Sequence, residues 1–82
     1  MVVVEFLPTF EKRIKNIKDN VQKKKLKKLI AKIIQNPEIG KPIRYGRKGT
    51  REVYMKPFRI SYSFERSKLI IFFLDLYHKK KQ

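Results

Sequence analysis

The sequence predicts an α+β domain, in which a pair of helices packs on one face of a small, mainly antiparallel sheet in the order β-α-α-β-β-β. A short apolar run, VVVEFL, opens the chain as a strand. Apolar residues then recur at helical spacing, and the last third of the chain holds strand-like segments separated by short polar turns. With 82 residues, the chain is expected to form one domain, spanning 1–82, with a small core.

The first helix is expected to begin at Pro8, because proline suits the first turn of a helix. Phe10, Ile14, Ile17 and Val21 follow at spacings of four, three and four residues, which places them on one helix face. We therefore expect these four side chains to face the core.

The second helix is expected to begin after Asp19 and Asn20, which interrupt the first helix and can cap the next one. Asn36-Pro37 ends it, because a residue before proline is disfavoured in helical conformation. The apolar stripe consists of Leu26, Leu29, Ile30, Ile33 and Ile34. Lysines occupy much of the remaining surface: Lys23, Lys24, Lys25, Lys27, Lys28 and Lys32. The two helices are predicted to pack as a hairpin.

Residues 37–49 contain all three glycines and two of the four prolines, so this segment is predicted to be a loop. Ile39 and Ile43 are its expected apolar anchors.

The remaining strands are predicted at 50–55, 58–64 and 69–77, as an antiparallel meander joined by Lys56-Pro57 and by a polar turn at 65–68. Segment 69–77 is apolar on both faces, which is typical of a strand inside a sheet. In 58–64 the apolar residues Phe58, Ile60, Tyr62 and Phe64 alternate with Arg59, Ser61 and Ser63. The apolar set should face the helices, which leaves Arg59 on the open face.

Charge is the strongest compositional signal. The chain has 22 Lys plus Arg and 7 Asp plus Glu, a formal net charge of +15. Genome composition or a hot habitat can enrich lysine, but these causes usually raise glutamate as well, which is scarce here. The charge therefore favours a polyanion, above all nucleic acid, or an acidic protein as partner.

Other classes of protein are disfavoured. Without cysteine and with one histidine, the chain has no disulfide framework, thiolate zinc site or all-imidazole metal site. We expect chemistry without metal or cofactor. The N-terminus lacks a basic region and a cleavage site, and the apolar run at 69–74 is too short to span a bilayer. A cytoplasmic protein with no membrane partner is expected.

Basic and aromatic residues in the second half of the chain suit single-stranded RNA, because phosphates take the charges and bases stack on the rings. The candidate RNA-binding residues are Arg47, Lys48, Tyr54, Lys56 and Lys81. From the residues alone, the catalytic candidates are Glu52, Arg59 and His78, and the polar groups expected near the same face include Arg51, Lys79 and Lys80.

RNA can be cleaved without a metal when its own 2′-OH attacks the adjacent phosphate, which requires a base, an acid and cations. The planar fork of Arg59 can hold two phosphate oxygens and stabilise the charge of the transition state. His78 titrates near neutrality, and Glu52 could be the base if it faces the open side. Each of these residues also has a purely structural interpretation. Arg59 could be a solvated strand residue or form an ion pair with Glu52, and His78 could be a half-buried residue at the end of a strand. The lysines of the second helix are expected to keep it soluble or to attract an acidic partner.

Three segments, NPEIGKPI, RKGTREVYMKPFRISYSF and LIIFFLDLYHKKKQ, carry a family resemblance. Their order and spacing, together with the first strand and helices, resemble the RelE/ParE superfamily of toxin–antitoxin toxins, especially its phage-Gp49-like and HigB-like branch. The resemblance implies a messenger-RNA endoribonuclease, in many members active on the ribosome. It also implies a cognate antitoxin that neutralises the toxin in a hetero-oligomer.

The resemblance also implies roles for single residues. Arg59 corresponds to the arginine that contacts the scissile phosphate, and Arg51 and Glu52 to a strand whose residues serve as base in some members. His78, Lys79 and Lys80 correspond to the C-terminal basic cluster, the acid or phosphate ligands. The resemblance does not extend to the C-terminal helix or tyrosine that several active members carry. A non-catalytic RNA- or ribosome-binding protein and a ParE-like inhibitor of DNA gyrase share the fold and remain alternatives.

Overall fold

The computed structural model describes residues 2–43 and 49–78, which form two helices and five strands. In chain order these are β1 (Val3–Phe6), α1 (Pro8–Lys15), α2 (Asn20–Gln35), β2 (Lys41–Pro42), β3 (Thr50–Met55), β4 (Phe58–Glu65) and β5 (Ile70–His78). The predicted α+β class and element order are confirmed, and one short strand, β2, is added within the predicted loop. None of the helices in these ranges has the length and apolarity needed to cross a membrane.

The sheet has the strand order β1-β5-β4-β3-β2. β1 pairs with β5 in parallel, and the other neighbours pair antiparallel, so β3, β4 and β5 form the predicted meander. β5 lies between β1 and β4, which explains why both of its faces are apolar. Lysine and proline are poor strand formers. The sequence therefore contained no local indication of β2. This strand forms because its two residues pair with Arg51 and Glu52 in the folded protein.

The core lies between the helices and one face of the sheet. Its buried apolar side chains are Phe10, Ile17, Leu26, Ile33, Phe58, Ile60, Tyr62, Ile71, Phe73 and Leu76. Phe6 stacks on both Phe10 and Phe73, with ring centroids 5.8 and 5.1 Å apart, and so joins β1, α1 and β5. Phe64 is half-buried and packs against this core. The predicted orientation of the alternating β4 residues is thus confirmed.

The connection between the helices differs from the prediction in two respects. α1 ends at Lys15, and Ile17 is buried although it lies outside both helices. The prediction that Val21 faces the core was wrong, because its side chain is 62% exposed. The Asp19 side chain accepts a hydrogen bond from the Val21 N–H at 2.8 Å and caps a new helix, which turns Val21 outward.

The segment that follows α2 is attached to the sheet through Tyr62. The buried phenol donates a hydrogen bond to the Pro37 carbonyl at 2.8 Å and accepts one from the Gly40 N–H at 2.9 Å. A β-carbon at Gly40 would lie 2.7 Å from the Tyr62 oxygen, so this approach requires glycine. Ile39, one of the two predicted apolar anchors, is 47% exposed; that prediction was wrong, because polar contacts anchor this part of the segment. Ile43, the other predicted anchor, is half-buried.

Candidate functional site

The sheet face opposite the helices presents a row of three residues in register across β3, β4 and β5. Tyr54 pairs with Arg59, and Arg59 pairs with Tyr77. Side chains of directly paired antiparallel residues project from the same face. The two tyrosines are exposed, by 50% and 38%, and so an aromatic ring stands on either side of the arginine. We call Tyr54, Arg59 and Tyr77 the open-face row.

Glu52 joins this row from β3. Its Oε1 lies 3.4 Å from Arg59 Nε, and each side chain is about one third exposed (33% and 34%). The ion pair that the sequence offered as one interpretation of Arg59 is therefore present. A partly solvated pair of this kind contributes only about 0.2–1 kcal/mol. An incoming phosphate can accordingly take the place of the carboxylate on the guanidinium.

The floor beside the open-face row is built from short side chains. Ser61, which pairs with Glu52 and Asp75, is buried, and Thr50 pairs with Ser63 at the far end of β3. These short side chains are smaller than Arg59 and the two tyrosines of the open-face row. The face can thus receive an extended ligand along the sheet.

Arg51 does not belong to this site, although the sequence grouped it with Glu52 and Arg59. It pairs with Tyr62, whose side chain is in the core, and its Nη1 donates hydrogen bonds to the carbonyls of Glu38 (3.1 Å) and Gly40 (2.7 Å). Its guanidinium therefore anchors the segment after α2. The alternation in 50–55 already placed Arg51 in phase with Val53, which is the signal that separates it from Glu52.

The same cluster contains a titratable group whose pKa is changed by its surroundings. Burial raises the pKa of Tyr62, against the smaller lowering effects of the Gly40 hydrogen bond and the nearby Arg51 charge. Tyr62 is thus a neutral hydrogen-bonding group and takes no part in the open face.

The other predicted site residues lie around the ends of the strands. The backbone of His78 ends β5 opposite Phe58, one residue beyond the Tyr77 of the open-face row. Lys56 is exposed in the turn between β3 and β4. Arg47, Lys48, Lys79, Lys80 and Lys81, together with the His78 side chain, lie outside the described part of the chain.

Sequence reasoning counted Tyr77 among several tyrosines but did not assign it to the site. Its pairing with Arg59 depends on the register of β4 and β5, which shifts between Ser61 and Tyr62. Parity along one strand could not reveal that irregularity. Across 2–43 and 49–78, His, Cys, Asp and Glu form no group of three that could hold a metal ion.

Comparison with known proteins identifies the family. Residues 4–82 match the family model described as ParE toxin of the type II toxin–antitoxin system, parDE. No curated protein sequence gives a significant match.

Solved structures show the same fold. The isolated Escherichia coli RelE toxin superposes with a TM-score of 0.80 at 15% identity, covering 95% of this chain and 84% of that one. A chain of the intact E. coli RelBE toxin–antitoxin complex superposes with a TM-score of 0.80 at 15% identity, covering 95% of this chain and 96% of that one. A chain of the RelBE2 toxin–antitoxin complex from Mycobacterium tuberculosis superposes with a TM-score of 0.76 at 19% identity, covering 94% of this chain and 96% of that one.

Proposed function

We propose, on the premise that the chain belongs to the ParE toxin family of type II toxin–antitoxin systems, that this toxin is a metal-independent endoribonuclease. It cleaves messenger RNA on the ribosome in the cytoplasm and thereby inhibits translation. The observation that carries the proposal is the position of Arg59. Its guanidinium lies on the open face of the sheet, between two exposed tyrosines and 3.4 Å from a carboxylate oxygen.

This arrangement suits attack by the RNA's own 2′-OH. Glu52 accepts the 2′-OH proton as the oxygen forms a bond to the adjacent phosphorus. Arg59 holds the non-bridging phosphate oxygens and stabilises the charge that develops on them. The bond to the 5′-oxygen then breaks, and that oxygen takes a proton from the C-terminal cluster, to which we assign His78, Lys79 and Lys80. The products are a cyclic phosphate and a free 5′-hydroxyl.

RNA binding is supported by charge and by aromatic surface. The net charge of +15 attracts phosphates, and the exposed rings of Tyr54 and Tyr77 suit unpaired bases. Lys56, at the turn beside Tyr54, extends the basic surface, with Arg47, Lys48 and Lys81 proposed as further phosphate ligands. Arg51 has no part in this mechanism, because its Nη1 is occupied by two backbone carbonyls.

A cognate antitoxin is the proposed protein partner. The matched RelE structures include toxin–antitoxin complexes, and the family is defined by such modules. A strongly basic toxin favours an acidic or amphipathic antitoxin that covers it and blocks RNA. The inactive state is then a hetero-oligomer of the two proteins.

A second candidate function is inhibition of DNA gyrase, favoured by the match to the ParE model. Nuclease chemistry is preferred because Arg59 and Glu52 are adjacent on an open, aromatic-flanked face. The third candidate, binding of RNA or ribosomes without cleavage, uses the same face.

In-vitro translation with mapping of mRNA ends tests the proposal. Wild-type toxin should cleave mRNA, and Arg59→Ala should lower the rate by roughly 10²- to 10³-fold. Arg66→Ala is the matched control, because it removes the same charge at a residue that is ion-paired to Glu38 in an exposed turn. Ribosome binding without cleavage would replace the proposal with the binding function. Inhibition of supercoiling without cleavage would replace it with the gyrase function.

A further inference from the structure

A groove lies between α2 and the end of β3. Its volume is about 370 Å³, and its lining residues are Lys25, Lys28, Leu29, Lys32, Tyr54 and Met55. The lining thus combines apolar side chains with three lysines of α2. We call Lys25, Lys28 and Lys32 the groove lysines.

Tyr54 belongs to both surfaces. It pairs with Arg59 in the open-face row and also lines the groove. β2 pairs with β3 only at Arg51 and Glu52, so within the described residues no strand separates Tyr54 from α2. The two surfaces are therefore continuous around the edge of β3.

The groove lysines have no acidic neighbours on their own helix. α2 spans Asn20–Gln35 and contains no aspartate or glutamate. The ion pairs formed among the described residues join Arg13 to Asp75, Arg59 to Glu52 and Arg66 to Glu38, and none uses a lysine of α2. Lysines spaced three and four apart on one helix face repel one another. An anionic ligand would remove that repulsion.

We propose that the RNA bound at Arg59 continues around the β3 edge and places its flanking phosphates on the groove lysines. Tyr54 lies at the corner and stacks on a base, and Leu29 and Met55 contact the sugar or base from below. The inference rests on the proposed RNA function and extends it by assigning a second phosphate-binding site on α2. RNA fits better than an acidic protein because the groove continues a surface that already pairs a guanidinium with aromatic rings.

The chain offers a matched control. Lys15, Lys23 and Lys27 line a different groove, between the two helices, together with Ile14, Leu26 and Ile30. A variant with Lys25→Gln, Lys28→Gln and Lys32→Gln can thus be compared with one carrying Lys15→Gln, Lys23→Gln and Lys27→Gln. Both lose the same charge from exposed lysines, so a difference between them reports position.

Binding is measured by fluorescence anisotropy with 2′-O-methyl RNA, which cannot be cleaved. One probe is a trinucleotide and the other has about twelve nucleotides, within the span that single-stranded RNA-binding surfaces cover. The groove variant should bind the longer probe roughly tenfold or more weakly than the control variant does. The slope of log K against log[salt] should become shallower by about 2, because each lost phosphate contact contributes about 0.7 to that slope. Its affinity for the trinucleotide should stay within a few-fold of the control variant.

Equal losses in both lysine variants would overturn the inference, because net charge alone would explain them. Unchanged affinity of the groove variant for the longer probe would also overturn the inference. This holds even if that variant lost ribosome or antitoxin binding, because the groove lysines would then bind those partners and not RNA. Failure of the proposed function is separable from this result. A wild-type protein that cleaves no mRNA, yet binds the longer probe through the groove lysines, would reject the nuclease and keep the RNA site.

Discussion

Glu52 and Arg59 lie on neighbouring strands of the open sheet face, with 3.4 Å between Glu52 Oε1 and Arg59 Nε. The proposed base and the proposed phosphate ligand are therefore already in contact before substrate arrives. Because the pair is partly solvated, it holds the two side chains in place without a large energetic cost to separating them. An RNA phosphate that binds Arg59 would release the carboxylate toward the 2′-OH.

Replacement of Glu52 by glutamine separates binding from catalysis. The amide keeps the size of the side chain but cannot accept the 2′-OH proton, so the cleavage rate should fall roughly 10²- to 10⁴-fold. Affinity for non-cleavable RNA should be unchanged or higher, because a negative charge beside Arg59 is lost. Single-turnover cleavage and equilibrium binding measure the two effects.

Glu65→Gln is the control for that experiment, since Glu65 is an exposed residue at the end of β4 and should behave as wild type in both assays. Full cleavage activity in Glu52→Gln would exclude Glu52 as the base.

Arg51 and Arg59 should show opposite behaviour when each is changed to methionine. Arg51→Met leaves the carbonyls of Glu38 and Gly40 without their donor, and it should lower the free energy of unfolding by about 1–3 kcal/mol. Cleavage by the folded variant should remain within a few-fold of wild type. Arg59→Met should be nearly as stable as wild type but should cleave roughly 10²- to 10³-fold more slowly.

Urea denaturation and cleavage, measured where both variants are folded, check this pair of predictions. An Arg51→Met protein of normal stability that has lost cleavage would mean that Arg51 acts on the substrate.

Tyr62 should make the fold sensitive to alkaline pH. Because burial raises the pKa of Tyr62, the folded protein holds the phenol proton more tightly than the unfolded chain does, where the pKa is about 10. The resulting stabilisation is complete below pH of about 10 and is lost as pH rises from there through the folded-state pKa. Tyr62→Phe should be less stable at neutral pH, by about 1–3 kcal/mol, since it loses the Pro37 and Gly40 hydrogen bonds.

The same variant should lose less stability than wild type between neutral and alkaline pH, which urea denaturation across that interval measures. Tyr77→Phe, which removes a phenol from an exposed position, serves as the control and should keep the wild-type pH dependence. Parallel pH profiles for Tyr62→Phe and wild type would show that the phenol proton is not linked to folding.

Local patterns predicted much of the fold. Alternation in 58–64 correctly placed Phe58, Ile60 and Tyr62 toward the helices, and the Asp19 cap marked the beginning of α2. The same logic failed for Val21 and Ile39, which are exposed. Helical phase does not continue across the break between α1 and α2, and hydrogen bonds from the sheet replaced the apolar anchor expected at Ile39.

The candidate site was only partly visible in the sequence. Arg59 and Glu52 could be named from strand parity, but their contact depends on the register of β3 with β4. Tyr77 entered the open-face row for the same reason, whereas the exclusion of Arg51 could already be read from its phase with Val53 in one strand. Pairing register is a property of two strands at once, so the period within one strand cannot specify it.

The amino-acid sequence by itself determined the helices, the meander, the basic character and the family, because each of these follows from local residue spacing or from composition. Tertiary structure decided how the polar side chains are arranged. Arg59 forms an ion pair with Glu52 and lies between two tyrosines, and Arg51 donates to backbone carbonyls. The groove lysines line one groove together with Tyr54. The physical reason is the distance along the chain over which each effect acts. Hydrophobic periodicity acts within a turn or a strand, whereas contacts between strands and helices depend on how the whole chain packs.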